Sequence, residues 1–153
     1  MSTIRTKTSR VQAGAIQERP GVHTLGIGTG DSLKIARMVR AGFPFSRLAL
    51  FQKATALPWE KVARFVGIPQ RTLTRRQSAG KLQPDESDRV WRASAIFDLA
   101  VKLFEGDVAA ARQWLQTPQV GLGGEMPLDF ASTEVGAREV ENLIIRLQHG
   151  VFS

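Results

Sequence analysis

The chain has 153 residues, no cysteine, 42% apolar residues and a net charge of +7. That length holds one or two small domains, and the apolar share supports a packed core and excludes general disorder. The lack of cysteine excludes disulfides and thiolate metal sites, and His23 and His149 are too few for a metal cluster, so no cofactor is expected. No apolar run is long enough to cross a bilayer, and no apolar stretch follows Arg5, Lys7 and Arg10 to make a secretory signal, so the expected location is the cytoplasm and no membrane partner is expected.

The charge is unevenly placed. Residues 1–92 carry 17 basic and 6 acidic side chains, whereas residues 93–153 carry 4 basic and 8 acidic ones. The front of the chain therefore suits a polyanionic partner and the back does not.

Residues 1–30 lack periodicity and are read as a flexible arm. Gly26, Gly28 and Gly30 do not match a phosphate-loop spacing, and no Gly-Lys-Ser/Thr follows them. A helix is expected from Ser32 to Ala41, opened by Asp31 or Ser32 and stopped by Gly42. A second follows Pro44, with Leu48, Leu50, Phe51 and Ala54 toward a core. From Trp59 to Arg76 two short helices are joined at Gly67, which supplies the left-handed backbone angle of a helix end. Ala63 sits where the two helices must touch, and Ile68 and Leu73 fill the angle between them. The pattern is a helix-turn-helix.

Lys81 to Pro84 form a connector, and Pro84 suits the start of a helix. Residues 85–105 are the longest periodic segment, with Val90, Ala93, Ile96, Phe97, Ala100, Val101 and Phe104 at helical spacing. Asp107 opens a helix from Val108 to Gln116, and Gly121 to Gly124 form a turn-rich loop. A last helix runs from Ser132 or Thr133 to about His149, with Val140, Leu143, Ile144, Leu147 and Val151 on one face. No alternating pattern persists, so the fold class expected is all-α. The domains expected are an arm over 1–30, a helix-turn-helix unit over 31–82 and a helical unit over 83–153.

The second helix of the helix-turn-helix carries Gln70, Arg71, Thr72, Thr74, Arg75 and Arg76, side chains that read base edges or hold phosphates. Lys61, Arg64 and Lys81 flank it as phosphate contacts. Each of these cations, taken alone, is also an ordinary solvated charge. Catalysis finds no footing: there is no cysteine and no tyrosine, and neither histidine sits in a nucleophile pattern. The acidic run Asp85 to Asp88 lies in a first helical turn, where negative charge is favoured. Trp59, Trp91 and Trp114 are most simply core. The chain is expected not to be an enzyme.

From about residue 45 to 152 the sequence resembles the Xre/MbcA/ParS group of antitoxins. The helix-turn-helix part is similar in Gly67-Ile68 and Arg71 to Arg76. The C-terminal part is similar in Glu86 to Arg89, Arg92, Ala100, Leu103-Phe104, Ala110, Trp114-Leu115, Pro118, Leu122 to Gly124, Pro127, Thr133-Glu134, Gly136, Val140 and Gly150-Val151. Pro58 and Pro69 stand where that group often has a Ser or Thr opening a helix. The resemblance implies a type II toxin–antitoxin system. In it a RES-type toxin that depletes NAD is silenced by the C-terminal part, and the complex represses its own operon. It further implies a homodimer, a higher-order toxin–antitoxin complex, and toxin contact through the last helix and tail: Val140, Leu143, Arg146, Leu147, Gly150, Val151, Phe152 and Ser153. The alternative is a stand-alone helix-turn-helix regulator whose C-terminal half only dimerises.

Overall fold

The computed structural model describes residues 19–150. In chain order the helices are α1 (Val22–Leu25), α2 (Ser32–Ala41), α3 (Phe45–Thr55), α4 (Trp59–Val66), α5 (Gln70–Ala79), α6 (Pro84–Leu103), α7 (Val108–Leu115), a 3-10 turn at Val120–Leu122, α8 (Pro127–Phe130) and α9 (Glu134–Gln148). The β pairing among the described residues is confined to two isolated bridges, Pro44 to Lys81 and Gln119 to Glu125. The all-α expectation holds.

The helix boundaries follow local chemistry. Asp31, Asp107 and Thr133 each accept a hydrogen bond from a first-turn N–H, at 2.9, 3.0 and 3.0 Å. These caps open α2, α7 and α9 and satisfy donors that a helix start leaves free. Pro44, Pro58 and Pro69 precede α3, α4 and α5 without side-chain caps.

Helix α6 is the spine. Its 20 residues span about 30 Å. Val90, Ala93, Ile96, Phe97 and Ala100 are buried along it. Helices α1, α2, α4, α7 and α9 all pack against it. Phe51 meets both Phe65 of α4 and Phe97 of α6, with ring centroids 5.6 and 6.5 Å apart. The buried cluster runs without a break from Val22 to Ile144. The expected boundary between residues 82 and 83 therefore does not separate two cores: α6 begins there and serves both halves.

Three expectations need correction. Residues 21–27 are not a flexible arm, because Val22, Leu25 and Ile27 are buried in the core. Asp98 of α6 holds this segment, accepting from the Gly21 N–H at 2.6 Å and from the Thr24 hydroxyl. Burial raises the Asp98 pKa above the ordinary carboxylate range, and the bonds from Thr24 and Gly21 offset part of that rise. Residues 1–18 of the expected arm lie outside the described residues. Leu50 and Ala54 also differ from expectation. Both are exposed, whereas Phe45, Leu48, Phe51 and Thr55 form the buried face of α3. The three tryptophans are half-buried and packed against the core rather than enclosed by it.

Candidate functional site

Helices α4 and α5 meet through a turn built as the sequence requires. Gly67 has φ +68°, in the left-handed region, and its N–H closes the end of α4. Ala63, Ile68 and Leu73 are buried between the helices. Trp59 stacks on Phe45 of α3 at 5.8 Å between ring centroids, fixing α4 against α3.

The turn is also held from the C-terminal half. Arg89 of α6 donates to the Gly67 carbonyl at 2.6 Å. A Cβ at Gly67 would stand 3.0 Å from the Ser132 carbonyl oxygen, so the loop after α8 packs directly on the turn. Arg64 of α4 donates to both Asp129 oxygens of α8, at 2.9 and 2.5 Å. Lys61 donates to the Gln116 side chain.

These contacts sort the expected DNA-binding residues into two sets. Gln70, Arg71, Thr74, Arg75 and Lys81 are exposed and Thr72 is half-buried, so α5 presents its first two turns to solvent. Thr72 accepts from Arg75 at 3.4 Å, which leaves most of the guanidinium free. Lys61, Arg64 and Arg76 differ, because each is engaged within the fold. Arg76 pairs with Glu86 at 2.8 Å. Glu86 is 5% exposed and also accepts from the Gln83 N–H at 2.8 Å, closing the start of α6. The hydrogen bond to Glu86 raises the Arg76 pKa. The acidic run beginning at Asp85 thus does more than complement a helix dipole: Glu86 is the buried counter-ion of the helix-turn-helix.

The expected toxin-contact residues divide in the same way. Val140 and Leu143 are buried in the chain's own core, so they hold α9 in place and offer no surface to a partner. This corrects the expectation for those two. Arg146 and Leu147 are half-buried and Gly150 is exposed. Val151, Phe152 and Ser153 lie outside the described residues. The glycine-rich loop is a closed turn. The Gln119 N–H donates to the Glu125 carbonyl at 3.0 Å, and the Gly124 N–H donates to the Gln119 carbonyl at 2.9 Å. Gly136 lets α9 start tight against α8, since a Cβ there would fall 1.7 Å from the Phe130 carbonyl oxygen. Val120, Val135 and Ile145 are exposed apolar side chains of this half, at 95%, 76% and 45%, as Leu33 and Leu50 are of the other. The sequence reading missed Val120, Val135 and Ile145, because periodicity marks the face a helix buries and carries no signal for an exposed apolar residue beside it.

The described residues hold no group of His, Cys, Asp and Glu placed for a metal. None of their helices is long and apolar enough to cross a membrane.

Comparison with known proteins agrees with this geometry. Residues 34–93 match the Antitoxin Xre-like helix-turn-helix domain. Residues 99–150 match the Antitoxin Xre/MbcA/ParS C-terminal toxin-binding domain. The chain is 38% identical over 130 residues to an Antitoxin Xre of Yersinia enterocolitica, covering 84% of this chain and 88% of that protein. It is 34% identical over 139 residues to an Antitoxin Xre of Photorhabdus laumondii, covering 90% of this chain and 94% of that one. An Antitoxin Xre of Pseudomonas putida is 33% identical over 84 residues, 54% of this chain and 52% of that protein. The helix-turn-helix match runs from within α2 to the middle of α6 and the toxin-binding match from the end of α6 through α9, with residues 94–98 of the spine between them. By these matches and relatives, the chain belongs to the Xre family of antitoxins.

Proposed function

We propose that this chain neutralises a RES-type, NAD-depleting toxin encoded beside it and represses the shared operon through α5. The observation that carries the reading is the union, in one chain of this family, of a helix-turn-helix with a solvent-facing basic second helix and a region matching a toxin-binding domain. Gln70, Arg71, Thr72, Thr74 and Arg75 enter the major groove, where arginine reads guanine and glutamine reads adenine, and Lys81 holds a phosphate. Lys61, Arg64 and Arg76 serve the site by fixing α4 and α5 in place. On the other half, Arg146, Leu147 and Gly150 with the tail Val151, Phe152 and Ser153 contact the toxin, beside the exposed Val120, Val135 and Ile145. A homodimer brings two α5 helices to a two-fold operator, and toxin binding builds a higher-order complex.

Co-expression of the tagged chain with the product of the adjacent reading frame tests this. Co-purification, with loss of toxicity in the producing cells, is the expected result. A chain that binds operator DNA but neither captures nor silences its neighbour is instead a stand-alone regulator whose C-terminal half only dimerises.

A further inference from the structure

Helix α2 carries Lys34, Arg37 and Arg40, spaced three residues apart. All three are exposed, and none has an ion-pair partner among the described residues. The helix holds no acidic residue of its own. Asp31 caps its start by accepting from the Leu33 N–H, and Asp88, which lines a groove with Arg40, is bound by Arg92 at 2.6 Å. Uncompensated like charge on a short helix costs stability unless a partner of opposite sign meets it.

The end of α2 also meets the end of α5. The Phe45 N–H donates to the Gly80 carbonyl and the Leu82 N–H to the Phe43 carbonyl, both at 2.9 Å. Gly42, just past α2, lies so close to this strand-like crossing that a Cβ would stand 3.2 Å from Cε of Lys81. The C-terminal end of α2, where Arg40 lies, therefore sits next to the exposed Lys81 at the end of α5. From Lys34 to Arg40 the ridge rises about 9 Å along the helix axis. That length equals two to three base-pair rises of about 3.4 Å along the DNA axis.

We propose that the Lys34–Arg37–Arg40 ridge is a second DNA-contact surface, which holds phosphates flanking the site that α5 reads. It supplies affinity without sequence discrimination, because phosphates carry no base identity. The inference rests on the DNA-binding reading of α5.

The test measures binding to two duplexes at a series of salt concentrations. One carries the DNA immediately upstream of this chain's own reading frame, and the other is a random sequence of equal length. The paired substitution Arg37→Gln/Arg40→Gln is compared with Lys53→Gln/Lys102→Gln, which removes equal charge from exposed positions outside the ridge. The ridge variant should weaken binding to both duplexes and flatten the plot of log affinity against log salt by about 1.8, and adding Lys34→Gln should bring this to about 2.7. The ratio of affinities for the two duplexes should stay as in the unsubstituted chain, and the ridge variant should melt no lower than that chain, because removing solvated like charges relieves repulsion along the helix. Equal slopes in the two paired variants overturn the ridge while leaving α5 in place. So does a ridge variant that binds DNA normally and loses the toxin, a result that would assign the ridge, with its exposed Leu33, to a protein partner. An unsubstituted chain that fails to prefer its own upstream DNA refutes the reading of α5 itself, and the ridge falls with it.

Discussion

Replacing Gly67 with alanine separates two demands that meet at one position. The left-handed angle, φ +68°, costs an alanine roughly 1–2 kcal/mol, of which about 0.4–1 kcal/mol is returned by the stiffer unfolded chain. Gly80 makes the same demand, with φ +81°, but a Cβ there would meet nothing within 4 Å. Gly80→Ala should thus cost about 0.5–1 kcal/mol. At Gly67 the new Cβ would also press on the Ser132 carbonyl at 3.0 Å, adding about 1 kcal/mol of overpacking. Gly67→Ala should then cost about 2 kcal/mol. With a urea dependence near 2 kcal/mol per molar, its midpoint should fall by about 1 M, against less than about 0.5 M for Gly80→Ala. Equal midpoints for the two variants would show that the loop after α8 does not press on the helix-turn-helix turn, and would remove this contact from those that join the two halves.

Arg71→Ala with Arg75→Ala should leave the melt unchanged and weaken binding to operator DNA by about 1–3 kcal/mol for each lost base contact, read by mobility shift. Arg76→Ala should instead lower the melting temperature, because it strands the buried Glu86 carboxylate; Arg76→Ala melting with the other two would refute the buried pair. Leu143→Ala should destabilise by about 2–4 kcal/mol in urea, as a core truncation, whereas Ile145→Ala should leave stability unchanged and weaken capture of the toxin. Deleting residues 149–153 should leave folding and DNA binding near normal and weaken neutralisation, and full suppression of NAD loss by the shortened chain would end that idea. The Asp98 carboxyl has its pKa raised by burial, so the folded chain binds this proton more tightly than the unfolded one. Its contribution is greatest below the ordinary carboxylate pKa and is lost as pH rises through the raised value. Asp98→Asn should therefore gain stability relative to the unsubstituted chain as pH climbs through that window, in urea melts across pH, and a constant difference would refute the assignment.

Much of the fold was legible because the chain states its boundaries locally. Asp31, Gly67, Pro84, Asp107 and Thr133 each mark a helix end by their own chemistry, and the structure places helix ends there. What was not legible depends on contacts distant in sequence. Gly21 and Asp98 are separated by 77 residues, so nothing local announces that residues 21–27 dock on α6. The roles of Arg64 and Arg76 were hidden for the same reason. A cation beside a recognition helix looks alike whether it faces a phosphate or a carboxylate of its own chain, and only Asp129 and Glu86 decide. Val140 and Leu143 show the converse. Their helical spacing marks an apolar face correctly, but spacing does not tell whether that face meets the chain's own core or a partner.

The measurement closest to the central claim is the NAD content of cells expressing the adjacent reading frame, with and without this chain. Expression of the neighbour alone should collapse the NAD pool, and co-expression should restore it, with the two proteins recovered as one complex. A pool that the neighbour leaves intact, or that this chain fails to protect while folded and present in equal amount, would contradict the assignment of a RES-type toxin as its partner.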